Sequence, residues 1–121
     1  MTRILAIFLL MTSISASAQW INSFDNTYTS PEYNKRIDEK RIQIWIKMNY
    51  PNGESMVSLE QYNCVDKTGR IISIQMYNST GTADPLRKWY YGEFFQTNPW
   101  KDIEPGSYFS KKFKVSCNGM K

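Results

Sequence analysis

The sequence contains no histidine, and this absence excludes several kinds of active site. A Ser–His–Asp triad, a Cys–His pair and a histidine-bound metal all need an imidazole. A glycine-rich loop of the kind that holds phosphate groups is absent as well. The 11 acidic residues are scattered, and only Asp38 and Glu39 are adjacent, so no pair is placed to face one cleft as glycoside hydrolysis requires. The sequence therefore predicts a protein that is not an enzyme and that uses no cofactor and no metal.

Long apolar runs are also missing. The apolar run at residues 4–11 is far shorter than the roughly 20 residues that cross a bilayer. It follows a basic residue and precedes small residues, so residues 1–18 are predicted to be a secretory signal peptide, with an amphipathic first helix as the alternative. We expect cleavage between Ala18 and Gln19, which leaves residues 19–121 as one domain. No cysteine follows the run, so we expect an exported protein without a lipid anchor, either periplasmic or secreted to the cell surface.

Cysteine is scarce, since the chain has only Cys64 and Cys117. In an oxidising compartment an even number of cysteines indicates a disulfide. This bond would stabilise the fold by roughly 3–4 kcal/mol in the chain-entropy model. A reactive or metal-binding pair is the competing interpretation, and the lack of CxxC spacing and of histidine disfavours it.

The clearest secondary-structure signal is the alternation of apolar and polar side chains in residues 41–50. Strong turn residues follow at 51–53, where Pro, Asn and Gly are consecutive. Residues 56–65 and 70–77 are predicted as a second and a third strand, joined by a turn at 66–69. Three strands joined by short turns predict an antiparallel meander.

The remaining segments predict further elements around this meander. Residues 20–24 are predicted as a first strand, and residues 86–95, which are dense in aromatics, as a later one. Residues 107–117 fit a helix capped by Ser107, with two phenylalanines and a cysteine at i, i+4 and i+8; a strand is the alternative. The expected fold class is α+β: a small antiparallel β-sheet of about five to six strands with a C-terminal helix and one disulfide.

Two basic segments are candidate partner-binding surfaces. In the first, basic and aromatic side chains are adjacent, which suits a sugar ring or a protein interface, whereas the alternative is that alternate aromatics belong to the core. It consists of Arg87, Lys88, Trp89, Tyr90 and Tyr91. The second lies on the predicted helix, where the alternative is a solvated face, and it consists of Lys111, Lys112 and Lys114. Trp45 projects away from the isoleucines of its strand, so it is either covered by the helix or exposed to a partner.

Several of these segments together resemble a known family. The likeness is carried by residues 42–47, by residues 60–64 with the strand that follows, and by the ending Trp100-x-x-Ile103-x-Pro-Gly-Ser with Cys117. Over residues 37–117 the chain resembles the surface-adhesin protein E family of proteobacteria. The resemblance implies a small antiparallel sheet with a helix near the C-terminus, tied by the two cysteines. The founding member is a surface lipoprotein that binds host extracellular-matrix proteins, and this chain differs by lacking the lipid-bearing cysteine.

Together these features predict a non-catalytic exported binding domain that is adhesin-like and recognises a protein or glycan at the cell envelope or in the host matrix. A periplasmic inhibitor or immunity-type protein that neutralises an enzyme such as a cell-wall hydrolase is the alternative. A third alternative is a subunit of an envelope assembly, with a homodimer formed by strand addition. The net charge of +4 is too dispersed for a nucleic-acid-binding stripe, so no nucleic acid is expected as a partner.

Overall fold

The computed structural model describes residues 19–118, and its main element is an antiparallel sheet with one helix packed on it. Residues 1–18 lie outside the described part, and with them the predicted signal peptide and its cleavage site. A short 3-10 helix occupies Pro31–Tyr33. The strands are Ile21–Phe24 (β1), Thr27–Thr29 (β2), Lys35–Arg36 (β3), Arg41–Asn49 (β4), Ser55–Asn63 (β5), Thr68–Tyr77 (β6), Ala83–Tyr90 (β7) and Lys101–Asp102 (β8), and the C-terminal helix is Tyr108–Asn118 (α1).

The strand order across the sheet is β1-β2-β4-β5-β6-β7, while β3 pairs with β4 and β8 pairs with β6. The predicted meander is the centre of this sheet, because β4, β5 and β6 pair along almost their whole lengths. Six strands thus form the main path, and two strands of two residues each add to it. The predicted α+β fold class is confirmed.

The alternation in β4 divides the sheet into two faces. Ile42, Ile44 and Ile46 are 5%, 1% and 1% exposed and lie under α1, on what we call the helix face. The residues between them lie on the opposite side, which we call the far face. Residues paired directly across strands share a face, so the register assigns every paired position of the central strands to one side or the other.

The predicted helix and disulfide are confirmed at the C-terminus. The backbone N–H of Ser110 donates to the Ser107 hydroxyl at 3.1 Å, so Ser107 caps the helix as its residue type predicts. The ring of Tyr62 on β5 meets the rings of Phe109 and Phe113 edge-on, at 6.4 and 6.1 Å between centroids. The Cys64–Cys117 bond then joins the end of α1 to the residue after β5, with 5.6 Å between the Cα atoms.

The prediction of a strand over residues 86–95 is wrong at both ends. Strand β7 begins at Ala83 and ends at Tyr90, and an irregular loop follows. Gly92 there has φ +87, a conformation that ends a strand and that glycine adopts at little cost. The Asn98 side chain donates to the carbonyls of Gly92 and Ile71 at 2.9 and 2.6 Å, which holds the loop against β6 in place of a strand ladder.

Candidate functional site

Strand β7 separates the basic and aromatic residues that the sequence places side by side. Trp89 pairs with Ile74, which in turn pairs with Ser58 on the helix face. Lys88 pairs with Gln75 and therefore lies on the far face. Since β7 is the last strand on its side of the sheet, Trp89 is 46% exposed even on the helix face. The segment thus presents two different surfaces.

Arg87 has a local structural role. Its guanidinium forms ion pairs with Glu54, in the turn before β5, and with Asp84 at 2.7 Å. Hydrogen bonds from Arg87 lower the pKa of both carboxyl groups below their ordinary values. Arg87 therefore links the irregular part of β7 to the β4–β5 turn, and its charge is matched by two acids.

Exposed aromatic rings are concentrated in the loop after β7, which we call the aromatic loop (residues 91–98). Tyr91, Phe94 and Phe95 are 45%, 74% and 67% exposed. Sequence reasoning named Tyr91 but placed Phe94 and Phe95 in a strand. Their adjacency next to Gly92 and before the turn-forming Asn98-Pro99 is the signal that would have indicated a loop.

Buried polar groups of the sheet hold the backbone of the aromatic loop in place. Arg70, on β6 and only 6% exposed, donates to the backbone carbonyls of Asn98 and Glu93 at 2.9 and 2.8 Å. It also donates to the Gln61 side chain at 2.9 Å, and its guanidinium lies 4.6 Å from the centroid of the Trp100 ring. The loop backbone is therefore held in one conformation while its aromatic side chains remain in contact with solvent.

The three lysines of α1 do not form one patch. Lys112 is 3% exposed, and its ammonium lies 2.8 Å from a carboxylate oxygen of Glu60, which is itself fully buried. Lys111 lies at the surface, 3.3 Å from the Asp25 carboxylate, and Lys114 is exposed. The prediction that Lys112 belongs to a surface patch is therefore wrong. Its side chain is buried between α1 and β5, where it has a structural role.

Glu60 is the centre of a complete polar network on the helix face. Its two oxygens accept hydrogen bonds from Ser58, Tyr62 and Lys112. Burial and the adjacent Glu60 carboxylate raise the pKa of Tyr62 far above its ordinary value, so the phenol keeps its proton and donates it. The network fixes the position of α1 on the sheet. This network was not predicted from the sequence, because Glu60 was not recognised as a buried charge. The alternation within residues 56–65 nevertheless puts Glu60 on the same face as Ser58 and Tyr62.

Trp45 lies on the far face, so the helix does not cover it. It is half-buried and lines a cavity of ≈570 Å³ together with Val57, Tyr77, Lys88 and Tyr90. The structure thus excludes the alternative in which the helix covers Trp45. It leaves the alternative in which the ring is accessible, here beside a cavity.

The comparisons with known proteins identify a family. A family model described as "Surface-adhesin protein E" matches residues 20–118, while neither the curated proteins nor the solved structures contain a match. A family of this description supports an adhesin-like, exported or cell-surface role and suggests a protein that is not an enzyme. Within residues 19–118 no helix is long and apolar enough to span a bilayer. Because the match covers most of the sequence and includes every element described above, the chain belongs to the surface-adhesin protein E family.

Proposed function

We propose that this protein is a non-catalytic adhesin-like protein, exported after cleavage between Ala18 and Gln19, that binds a protein partner through the aromatic loop. The observation that carries this proposal is the exposure of Phe94 and Phe95 on a fixed backbone. Of the residues singled out in the sequence, Tyr91 lies in the same loop and Trp89 lies just before it, and both are exposed.

The chemistry of the loop suits a protein partner. Aromatic side chains supply much of the binding energy in protein interfaces, because they bury a large apolar area and have few rotatable bonds. Clustered exposed apolar side chains are costly in a protein that acts alone, and they mark interaction sites. Four of the five aromatic rings in residues 89–95, those of Trp89, Tyr91, Phe94 and Phe95, provide such a cluster near the end of β7.

The fixed backbone adds to this argument. Ordering a flexible loop on binding reduces affinity, whereas a loop already held in place avoids that loss. Arg70 and Asn98 together donate four hydrogen bonds to backbone carbonyls in or beneath the loop. We therefore expect Asn98→Ala to weaken binding even though it leaves every aromatic side chain in the chain.

The test is binding to a panel of purified extracellular-matrix proteins, each immobilised on a biosensor. Wild type is expected to bind at least one of them saturably, and Phe94→Ser/Phe95→Ser is expected to reduce that affinity at least tenfold. The matched control is Val65→Ser, which changes another exposed apolar side chain, 61% accessible, in the turn between β5 and β6. Absence of saturable binding, or equal binding by the double variant, would overturn the proposal. A stoichiometric complex with a cell-wall hydrolase instead would favour the inhibitor alternative.

A further inference from the structure

The far face carries a regular arrangement of aromatic and basic side chains that the aromatic loop does not use. Strand register places Trp45, Leu59, Ser73 and Tyr90 side by side in one row across β4, β5, β6 and β7. The next row, two residues further along, consists of Lys47, Val57, Gln75 and Lys88. One row therefore has an aromatic residue at each end, and the next has a lysine at each end.

The spacing of these rows suits an extended ligand. Each pair of end residues is separated by three strand spacings, or roughly 14 Å, and the two rows are roughly 7 Å apart. The cavity of ≈570 Å³ lies over the β7 side of this area and is lined by Trp45, Val57, Lys88 and Tyr90, while Lys47 lies outside it. Its volume falls in the range of about 300–1,000 Å³ that is typical of ligand sites. A chain molecule lying across the strands would reach both aromatic rings and both ammonium groups.

The charge in these two rows is of one sign. No acidic residue occupies either row, and within residues 19–118 no carboxylate lies within ion-pair distance of Lys47 or Lys88. Glu54, the residue before β5, and Asp84, near the start of β7, are both paired with Arg87. The face is thus complementary to a negatively charged ligand.

We infer that the far face binds an anionic polysaccharide. The C–H faces of sugar rings stack on the electron-rich faces of Trp45 and Tyr90, while Lys47 and Lys88 hold its sulfate or carboxylate groups. Trp20 extends this surface, because the Lys47 ammonium lies 5.9 Å from the centroid of its ring. A single-stranded nucleic acid also combines flat rings with negative charge. The polysaccharide is favoured because the family places this protein at an exported or cell-surface location.

The test uses a heparin-derived octasaccharide as the probe and calorimetric titration at two salt concentrations. Lys47→Gln and Lys88→Gln are each expected to weaken binding roughly fivefold and to reduce its salt dependence. Tyr90→Ser, which changes a residue that is 74% exposed, is expected to weaken binding without changing the salt dependence. The matched control is Lys114→Gln on α1, which changes an exposed lysine on the opposite side of the sheet and is expected to bind as wild type does.

Several results would overturn this inference. They are absence of binding at low salt, an equal loss of affinity in Lys114→Gln, and equal affinity for an uncharged oligosaccharide of the same length. Equally tight binding of a single-stranded DNA octamer, with the same dependence on Lys88 and Tyr90, would assign the face to nucleic acid instead. The inference is independent of the protein partner, because Phe94→Ser/Phe95→Ser leaves both rows intact and should bind the octasaccharide normally.

Discussion

Removal of the Lys112 ammonium is expected to destabilise the protein strongly. Lys112 and Glu60 are 3% and 0% exposed, and the ammonium lies 2.8 and 3.0 Å from the two carboxylate oxygens. Lys112→Met keeps much of the volume but leaves a buried carboxylate without its counter-charge. The loss of one partner from a buried pair costs about 3–5 kcal/mol, whereas an exposed pair contributes about 0–1 kcal/mol. For a domain of this size the loss lowers Tm by roughly 12–40 °C.

The assay is urea unfolding at pH 7, followed by tryptophan fluorescence, for a double-mutant cycle. Glu60→Gln alone should also be costly, because it leaves the Lys112 charge buried, whereas Glu60→Gln/Lys112→Met should recover part of the loss. The matched control is Lys111→Met, which removes the neighbouring exposed lysine and its 3.3 Å contact to Asp25. If Lys112→Met costs no more than Lys111→Met, the Lys112 ammonium is solvated and our account of how α1 is positioned is refuted.

Three further predictions concern the fold around this network. Cys64→Ser/Cys117→Ser should lower the free energy of unfolding by about 4 kcal/mol and should match reduced wild type in urea; an unchanged midpoint would contradict a stabilising bond. Gly69→Ala should cost roughly 1–3 kcal/mol by urea unfolding, because the new Cβ would lie 2.8 Å from the Tyr62 ring. Arg41 lowers the pKa of Asp38 to about 2, so that pair stabilises the fold above the ordinary value of 3.8 and its contribution is lost as the pH falls towards 2. Unfolding measured across this interval should depend less on pH in Asp38→Asn, and an unchanged slope would contradict the pairing.

Periodicity was sufficient to predict the centre of the fold. The alternating isoleucines of β4 form the buried core, and Phe109 and Phe113, spaced i and i+4 on the helix, pack against it. The sequence pattern therefore agrees with the observed packing. The two-residue strands β3 and β8 are too short to show any period. Strand β7 was misplaced because exposed aromatic residues look like core residues in a sequence, although Gly92 and the following Asn98-Pro99 indicate a break.

The candidate surfaces were harder to predict because they depend on pairing between distant segments. Lys112 was assigned to the surface with its neighbours, since a run of lysines gives no sign of which one meets a buried carboxylate. The two rows of the far face can be identified only when the register of all four strands is known. A shift of one residue in a strand would move its side chains to the opposite face of the sheet. Arg87 was grouped with Lys88, although pairing with two acids gives it a different role.

The position of the disulfide has a mechanical consequence. Cys64 and Cys117 are 53 residues apart, and β6, β7 and the aromatic loop all lie between them. When the chain is pulled from its two ends, the load passes from Cys117 directly to Cys64 and bypasses these elements. With the disulfide intact, the segment between Cys64 and Cys117 cannot be stretched out. In the reduced chain the same segment would add roughly 175–190 Å of extension. Tension between the two chain ends therefore leaves the aromatic loop outside the path of force.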